Sequence, residues 1–341
     1  MTQTTTARDG LQALRAIAFL LVLVQHVVYY ATAVKGLDYR PYLPIDFGQA
    51  GVILFFTISG YVMGSCLDQG PRFMWNRAAR VYPPFWVAVL LSWLLLAGTG
   101  EWHVDLWSAL LLPTVALNND YNIPYWTLCY EVAFYALVYV FILCRLSREH
   151  IAMACVVWLV LIVATWAYKT GEPIRVHEPG WWILLSQDSI FFVLGLFVST
   201  AGAGSLERWS GAQLALAGVL VWSIFQPQLA AMQVPAMAGG AVACVLVMLA
   251  AQRMRFPRAL VAIGDMSYGG YLIHLVLVVA VVRHFIADLA QMRLAVVIVI
   301  LLLVAALGGM AYGWLEYQLH NRVLKKLFRG KEKSLPVTSL A

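Results

Sequence analysis

Charge is what this sequence has least of. Asp, Glu, Lys and Arg make up 12% of its 341 residues, about half their share in an ordinary soluble domain. A soluble globule of this length needs more polar surface than that to cover its core, so a soluble enzyme is excluded. With 62% hydrophobic residues, a disordered chain is excluded as well. Cysteine is also sparse: Cys66, Cys129, Cys144, Cys155 and Cys244 all lie in or beside apolar runs. None forms a CxxC pair and their spacing fits no zinc site. That excludes a disulfide scaffold and leaves them as small apolar packers. The chain lacks a P-loop, a dinucleotide glycine fingerprint and an HExxH pair, and it has no GxSxG elbow. Neither a metal site nor a covalent serine mechanism is therefore expected. No cleavable signal peptide is expected either. The first apolar run is long, contains Arg15 and His26, and no small-residue cleavage site follows it.

What the chain does have is long apolar runs and aromatic side chains. Its 13 Trp, 16 Tyr and 15 Phe suit aromatic belts at two membrane interfaces. About 20 apolar residues span a bilayer. Scanning with that length predicts ten helices, over 11–33, 48–67, 83–98, 126–144, 150–168, 182–200, 211–226, 233–251, 267–286 and 294–315. The fold class expected is therefore all-α, a polytopic integral membrane protein with about ten transmembrane helices. Residues 106–117 are apolar but short, a candidate re-entrant or interfacial segment. Residues 1–325 read as one membrane domain and 326–341 as a basic cytoplasmic tail. The longest external connection, about 99–125, is acidic and aromatic (Glu101, His103, Asp105, Asp120).

The net charge of +6 is a topology signal rather than a nucleic-acid footprint. With ten spans and both ends cytoplasmic, 17 of the 23 Lys and Arg fall on the cytoplasmic side. The other 6 are Lys35, Arg40, Lys169, Arg175, Arg283 and Arg293. That bias is the positive-inside pattern. An odd number of spans would put a basic terminal region on the wrong side. The expected location is a bacterial inner membrane.

Ionisable residues inside a bilayer are costly and raise a functional hypothesis by default. The first span carries Arg15 and His26, eleven positions apart. At about 100° per residue that spacing is three turns plus roughly 20°, so both share one face, separated by roughly 16 Å along the axis. Arg15 falls near the cytoplasmic surface, placed to anchor a phosphate. His26 lies deeper, placed to accept a proton. The plain alternative is a snorkelling Arg and a His bonded to a neighbouring helix. Glu131 lies inside the fourth apolar run, with Tyr135 one turn on. A buried carboxylate must be paired or protonated, and His26 is its expected partner, since a carboxylate orients an imidazole and raises its basicity. A structural tie between helices is the alternative. Arg72, Arg77 and Arg80 gather in the second internal loop before Pro83 and Pro84. Three guanidiniums there suit a polyphosphate such as coenzyme A, although positive-inside topology alone also accounts for them. Ser59 and Gly60 end the second span, where small residues allow close helix approach. Gly269, Gly270 and His274 lie in the ninth.

Together these segments resemble one family, the membrane acyltransferase-3 family. The blocks are Arg15-x10-His26, FFTISGYVMG (55–64), Arg77-Ala78-Ala79-Arg80-Val81-Tyr82-Pro83, Tyr125-Trp126-Thr127-Leu128 with Glu131, and Ser267-Tyr268 through His274. They occur in the family's order across about residues 8–325. The resemblance implies about ten spans and O-acylation of glycans. It also implies the stand-alone form, without the hydrolase-like domain that some members carry.

By resemblance, the implied catalytic residues are His26, Glu131 and Arg15. Arg77, Arg80 and Arg72 would hold acetyl-CoA or another acyl-CoA. Ser59, Tyr268 and His274 would contact substrate. The implied partners are membrane lipid, acyl-CoA, and a glycan or lipid-linked glycan acceptor, with no nucleic acid. His26 would act as general base on a sugar hydroxyl or form a transient acyl-imidazole. Two alternatives stand beside this: a small lipophilic acceptor such as a macrolide, and a proton-coupled transporter or flippase built on the same buried charges.

Overall fold

The computed structural model of the chain describes residues 2–43, 45–99, 102, 106–112, 121–169, 180–229 and 234–324. Eleven α-helices follow one another: α1 (Thr2–Val34), α2 (Phe47–Gly64), α3 (Arg72–Leu96), α4 (Leu106–Ala109), α5 (Trp126–Leu143), α6 (Arg148–Tyr168), α7 (Ser189–Ala201), α8 (Gly211–Leu229), α9 (Val234–Ala251), α10 (Arg258–Gln291) and α11 (Leu294–Leu319). There is no strand among the described residues. Among the described residues, seven helices are long and apolar enough to cross a membrane, and α7, α8 and α9 contain shorter apolar helices. The chain is an all-α polytopic membrane protein. The acidic connection (Glu101, His103, Asp105, Asp120), residues 113–117 of the short apolar segment and the basic tail lie outside the described residues.

α1 lies at the centre and packs on α2, α10, α11 and α9. α2 packs on α7, and a glycine pair makes that contact possible. A methyl group at Gly60 would collide with the Phe192 carbonyl, and one at Gly195 with the Thr57 carbonyl. Small residues are what let helix backbones touch in a membrane, where apolar side chains gain nothing by leaving lipid. Beside this contact runs an aromatic column. Phe134 stacks on Phe192 with ring centroids 4.0 Å apart, Phe56 on Tyr130 at 5.5 Å, and Trp158 meets Phe134 edge-on at 6.0 Å. It joins α2, α5, α6 and α7.

One end of the bundle collects the start of α1, the α2–α3 and α5–α6 turns and the α9–α10 turn. Gly10 abuts the Ala251 carbonyl, and Arg148 reaches the Gly64 carbonyl at 3.2 Å and Asp68 at 3.3 Å. We call it the basic end. At the opposite end Lys35, just past α1, donates to the carbonyls of Ala290, in the last turn of α10, and Met292, its C-cap.

Four elements differ from the sequence expectation, the first being α1, which starts at Thr2 rather than at residue 11. The third span is expected from residue 83, but α3 begins at Arg72 and runs through Pro83 and Pro84. Proline removes a backbone donor from the helix, and neighbouring tyrosines bond the backbone here: Tyr268 donates to the Val81 carbonyl at 3.0 Å and Tyr312 to that of Pro84 at 2.5 Å. α7 is shorter than expected. Residues 180–185 form a 3-10 turn, and the helix starts only after buried Ser186, Gln187 and Asp188. α10 is longer, from Arg258 to Gln291 with a break at Phe285. The short apolar segment 106–112 docks on α3. Tyr82 donates to the Leu110 carbonyl at 3.0 Å and Trp86 to that of Ala109 at 2.8 Å. These contacts lie 10 to 14 residues before the end of α3, so the segment reaches roughly 15–20 Å back along that helix at 1.5 Å per residue.

Candidate active site

A cavity of about 390 Å³ opens between α1, α2, α3, α5 and α10. Its mouth, toward the basic end, carries Arg8, Gln12 and Arg15 from α1, and Arg77 and Arg80 from α3. Its inner end is walled by Val52, Phe55, Thr127 and Tyr271. Among the described residues Glu131 is the only acid in the lining, against four arginines. The cavity is therefore basic at the mouth and apolar within.

Three of the guanidiniums, those of Arg15, Arg77 and Arg80, are held by their surroundings. Arg15 donates to Gln12 Oε1 at 3.3 Å, and Gln12 Nε2 donates to Asp265 of α10 at 2.5 Å. Arg77 lies 5.5 Å from the Phe73 ring and 5.7 Å from that of Tyr135, within cation–π range, and donates to Cys66 Sγ at 3.1 Å. Arg80 lies 5.5 Å from the Tyr268 ring and 3.7 Å from Glu316 Oε1. Glu316 is buried in α11, and neither of its carboxylate oxygens has a hydrogen-bond partner. A buried carboxylate needs a cation nearby, and Arg80 supplies it. Sequence reasoning passes over Glu316. Its signal is nonetheless present, as an acid one residue past the expected end of the last span.

The remaining expected residues divide. Ser59 and Tyr268 line the cavity, and Ser59 Oγ is buried there without a partner. Arg72 is exposed at the start of α3 and is not part of the lining. Glu131 accepts a short hydrogen bond from Tyr135 Oη. The expected bond between Glu131 and His26 is not made. His26 has two partners, the Val22 carbonyl at 3.0 Å and His274 Nε2 at 3.1 Å.

Neither His26 nor His274 is part of the lining; Tyr271 is, and its ring meets that of His274. The Tyr271 ring is 5.7 Å from that of His274 and 5.7 Å from that of Phe55, and its hydroxyl is 2.9 Å from Thr127 Oγ1. The histidines meet because α1 and α10 are close. A methyl group at Gly270 would lie 2.8 Å from Phe19 Cζ. The Phe19 ring takes that space and packs edge-on to His274 at 6.1 Å.

The arrangement offers two chemistries in series: a cationic mouth for an anion, and a bonded imidazole pair past its inner end. The model of a family described as an acyltransferase domain matches residues 8–314 of the chain. No curated protein and no solved structure matches it.

Proposed function

The chain belongs to the membrane acyltransferase-3 family, and from that premise we propose that it moves an acetyl or similar short acyl group from acyl-CoA to a sugar hydroxyl of a surface polysaccharide or its lipid-linked precursor. The observation that carries this reading is the cavity, with four arginines at its mouth and an inner end where Tyr271 meets His274, the ring bonded to His26. A CoA thioester has that polarity, a polyphosphate head on a long arm with a small acyl end.

In this reading the basic end faces the cytoplasm, in accord with the positive-inside bias. Arg77 and Arg80, with Arg15 and Arg8, hold the phosphates through charge-assisted hydrogen bonds. Glu131 and Tyr135 flank the pantetheine arm. The acyl end passes Tyr271 to reach His26. His26 takes the proton of the acceptor hydroxyl, which is a poor nucleophile at neutral pH. The enclosed path keeps bulk water from hydrolysing the thioester.

The test is deletion of the coding sequence followed by NMR of the surface glycans. Loss of an ester-linked acyl group, restored by the wild type but not by His26→Ala, is expected. An unchanged glycan would refute the polysaccharide acceptor. Counterflow of a glycan in proteoliposomes without acyl-CoA would favour transport instead.

A further inference from the structure

We propose that His274 is a positioning residue for His26. The two imidazoles form a bonded pair in which His274 fixes the tautomer of His26 and leaves His26 Nε2 as the free base. The purpose of the pair rests on the acyl-transfer reading; its geometry does not.

The protons can be placed by following the acceptors. His274 Nδ1 is 2.7 Å from the Tyr271 carbonyl. A carbonyl only accepts, so Nδ1 of His274 carries the hydrogen. A neutral imidazole has one N–H, so His274 Nε2 is a bare acceptor. His26 Nδ1 faces that nitrogen at 3.1 Å and the Val22 carbonyl at 3.0 Å. Both are acceptors, so His26 Nδ1 carries its ring's hydrogen and shares it between them. The remaining nitrogen of the pair, His26 Nε2, makes no hydrogen bond among the described residues.

Burial separates the two roles. His274 is fully buried, whereas His26 is partly exposed. The rings are 5.1 Å apart and tilted by 50°. Of the two, His26 keeps exposed surface, and His274 has a partner on each nitrogen. Asp46, the N-cap of α2, spends its side chain on the Gln49 amide at 2.8 Å. Arg15 and Glu131 have their own partners in the cavity.

This gives the pair the task that a carboxylate has in a serine–histidine–aspartate triad, which is to hold one imidazole nitrogen so that the other works. In transfer, the acceptor O–H gives its proton to His26 Nε2 as its oxygen bonds to the thioester carbonyl carbon. The carbon–sulfur bond then breaks, and the departing CoA thiolate takes the proton back from His26. While His26 is charged, its Nδ1–H points at a neutral acceptor. An unpaired carboxylate at this depth would itself be a costly buried charge, whereas an imidazole orients His26 without adding one.

The test uses two variants of the full-length protein in liposomes. His274→Phe keeps the ring packing and removes the acceptor; His274→Gln keeps an acceptor near the position of Nε2. His274→Phe is expected to lower kcat for acyl transfer by about 10²–10³-fold with the KM for acyl-CoA unchanged, and His274→Gln to stay within about tenfold of wild type. Ring-¹⁵N NMR of histidine-labelled protein, assigned by the signals lost in His26→Gln, gives a readout independent of activity. Wild type should show His26 as one tautomer protonated at Nδ1, and His274→Phe should show a mixture. Wild-type kcat in His274→Phe, or a wild-type spectrum with His26 protonated at Nε2, overturns the pair. If His26→Ala abolishes transfer while His274→Phe does not, the pair fails and the acyl-transfer reading stands. If the wild type transfers no acyl group, that reading fails and the spectrum alone decides the pair.

Discussion

The cavity mouth and the histidine pair lie on the same helices and solve the problem of buried polarity in opposite ways. At the mouth, charge is met by charge or by aromatic faces: Arg80 by Glu316 and Tyr268, Arg77 by Phe73 and Tyr135. One wall deeper, two imidazole rings are satisfied by backbone carbonyls and by each other. The difference teaches what depth permits. Near the basic end a guanidinium is surrounded by partners and by an open cavity. Past Tyr271, the polar groups of the pair are rings that can stay neutral until the moment of proton transfer, which suits a step that moves a proton rather than one that grips an anion.

The comparison is broken most severely at the deep region. His26→Ala should abolish acyl transfer, by about 10³-fold or more, while the protein still inserts. Transfer at wild-type rate by the purified variant would remove His26 from the chemistry. The mouth should respond differently, in affinity rather than turnover. Arg80→Gln removes a charge-assisted bond of about 1.5–3 kcal/mol, so the KM for acyl-CoA should rise about 10–100-fold with kcat nearly kept. A lowered kcat at unchanged KM would place Arg80 with the histidines instead. Glu316→Gln leaves Arg80 without its carboxylate but still over Tyr268. A rise in KM of about three- to tenfold is expected, read in the same titration. No rise would mean that Glu316 ties helices without orienting Arg80. Arg72→Gln should change KM by less than about twofold, because an exposed charge outside the lining is screened by solvent. A tenfold rise would extend the donor site beyond the cavity.

Much of the fold is legible in the amino-acid sequence. The ten apolar stretches reappear as helices within a few residues at most boundaries, because a bilayer demands helices of a set length with every backbone group bonded internally. Arg15, Arg77, Arg80 and Glu131 do line one cavity, and Ser59 and Tyr268 join them there. The partnerships are less legible. Glu131 and His26 look like partners because both are isolated in apolar runs, but isolation says nothing about which helices touch. Helix length departs from hydropathy where polar or proline residues do something local: at Pro83 and Pro84, with α3 tied by tyrosines on α10 and α11, and at Ser186–Asp188, where a polar stretch delays α7.

The sequence by itself determined the solvent, the all-α fold class and which side chains would be costly in lipid, since hydropathy and spacing are properties of each segment alone. Only the tertiary structure decided which of those side chains meet. The small backbone at Gly270 lets Phe19 lie against α10, and that approach brings His26 to His274 across 248 positions of chain. Helix contacts in a membrane are set by shape and close packing rather than by hydrophobic pattern, so the pair could not be read from a pattern of apolar residues.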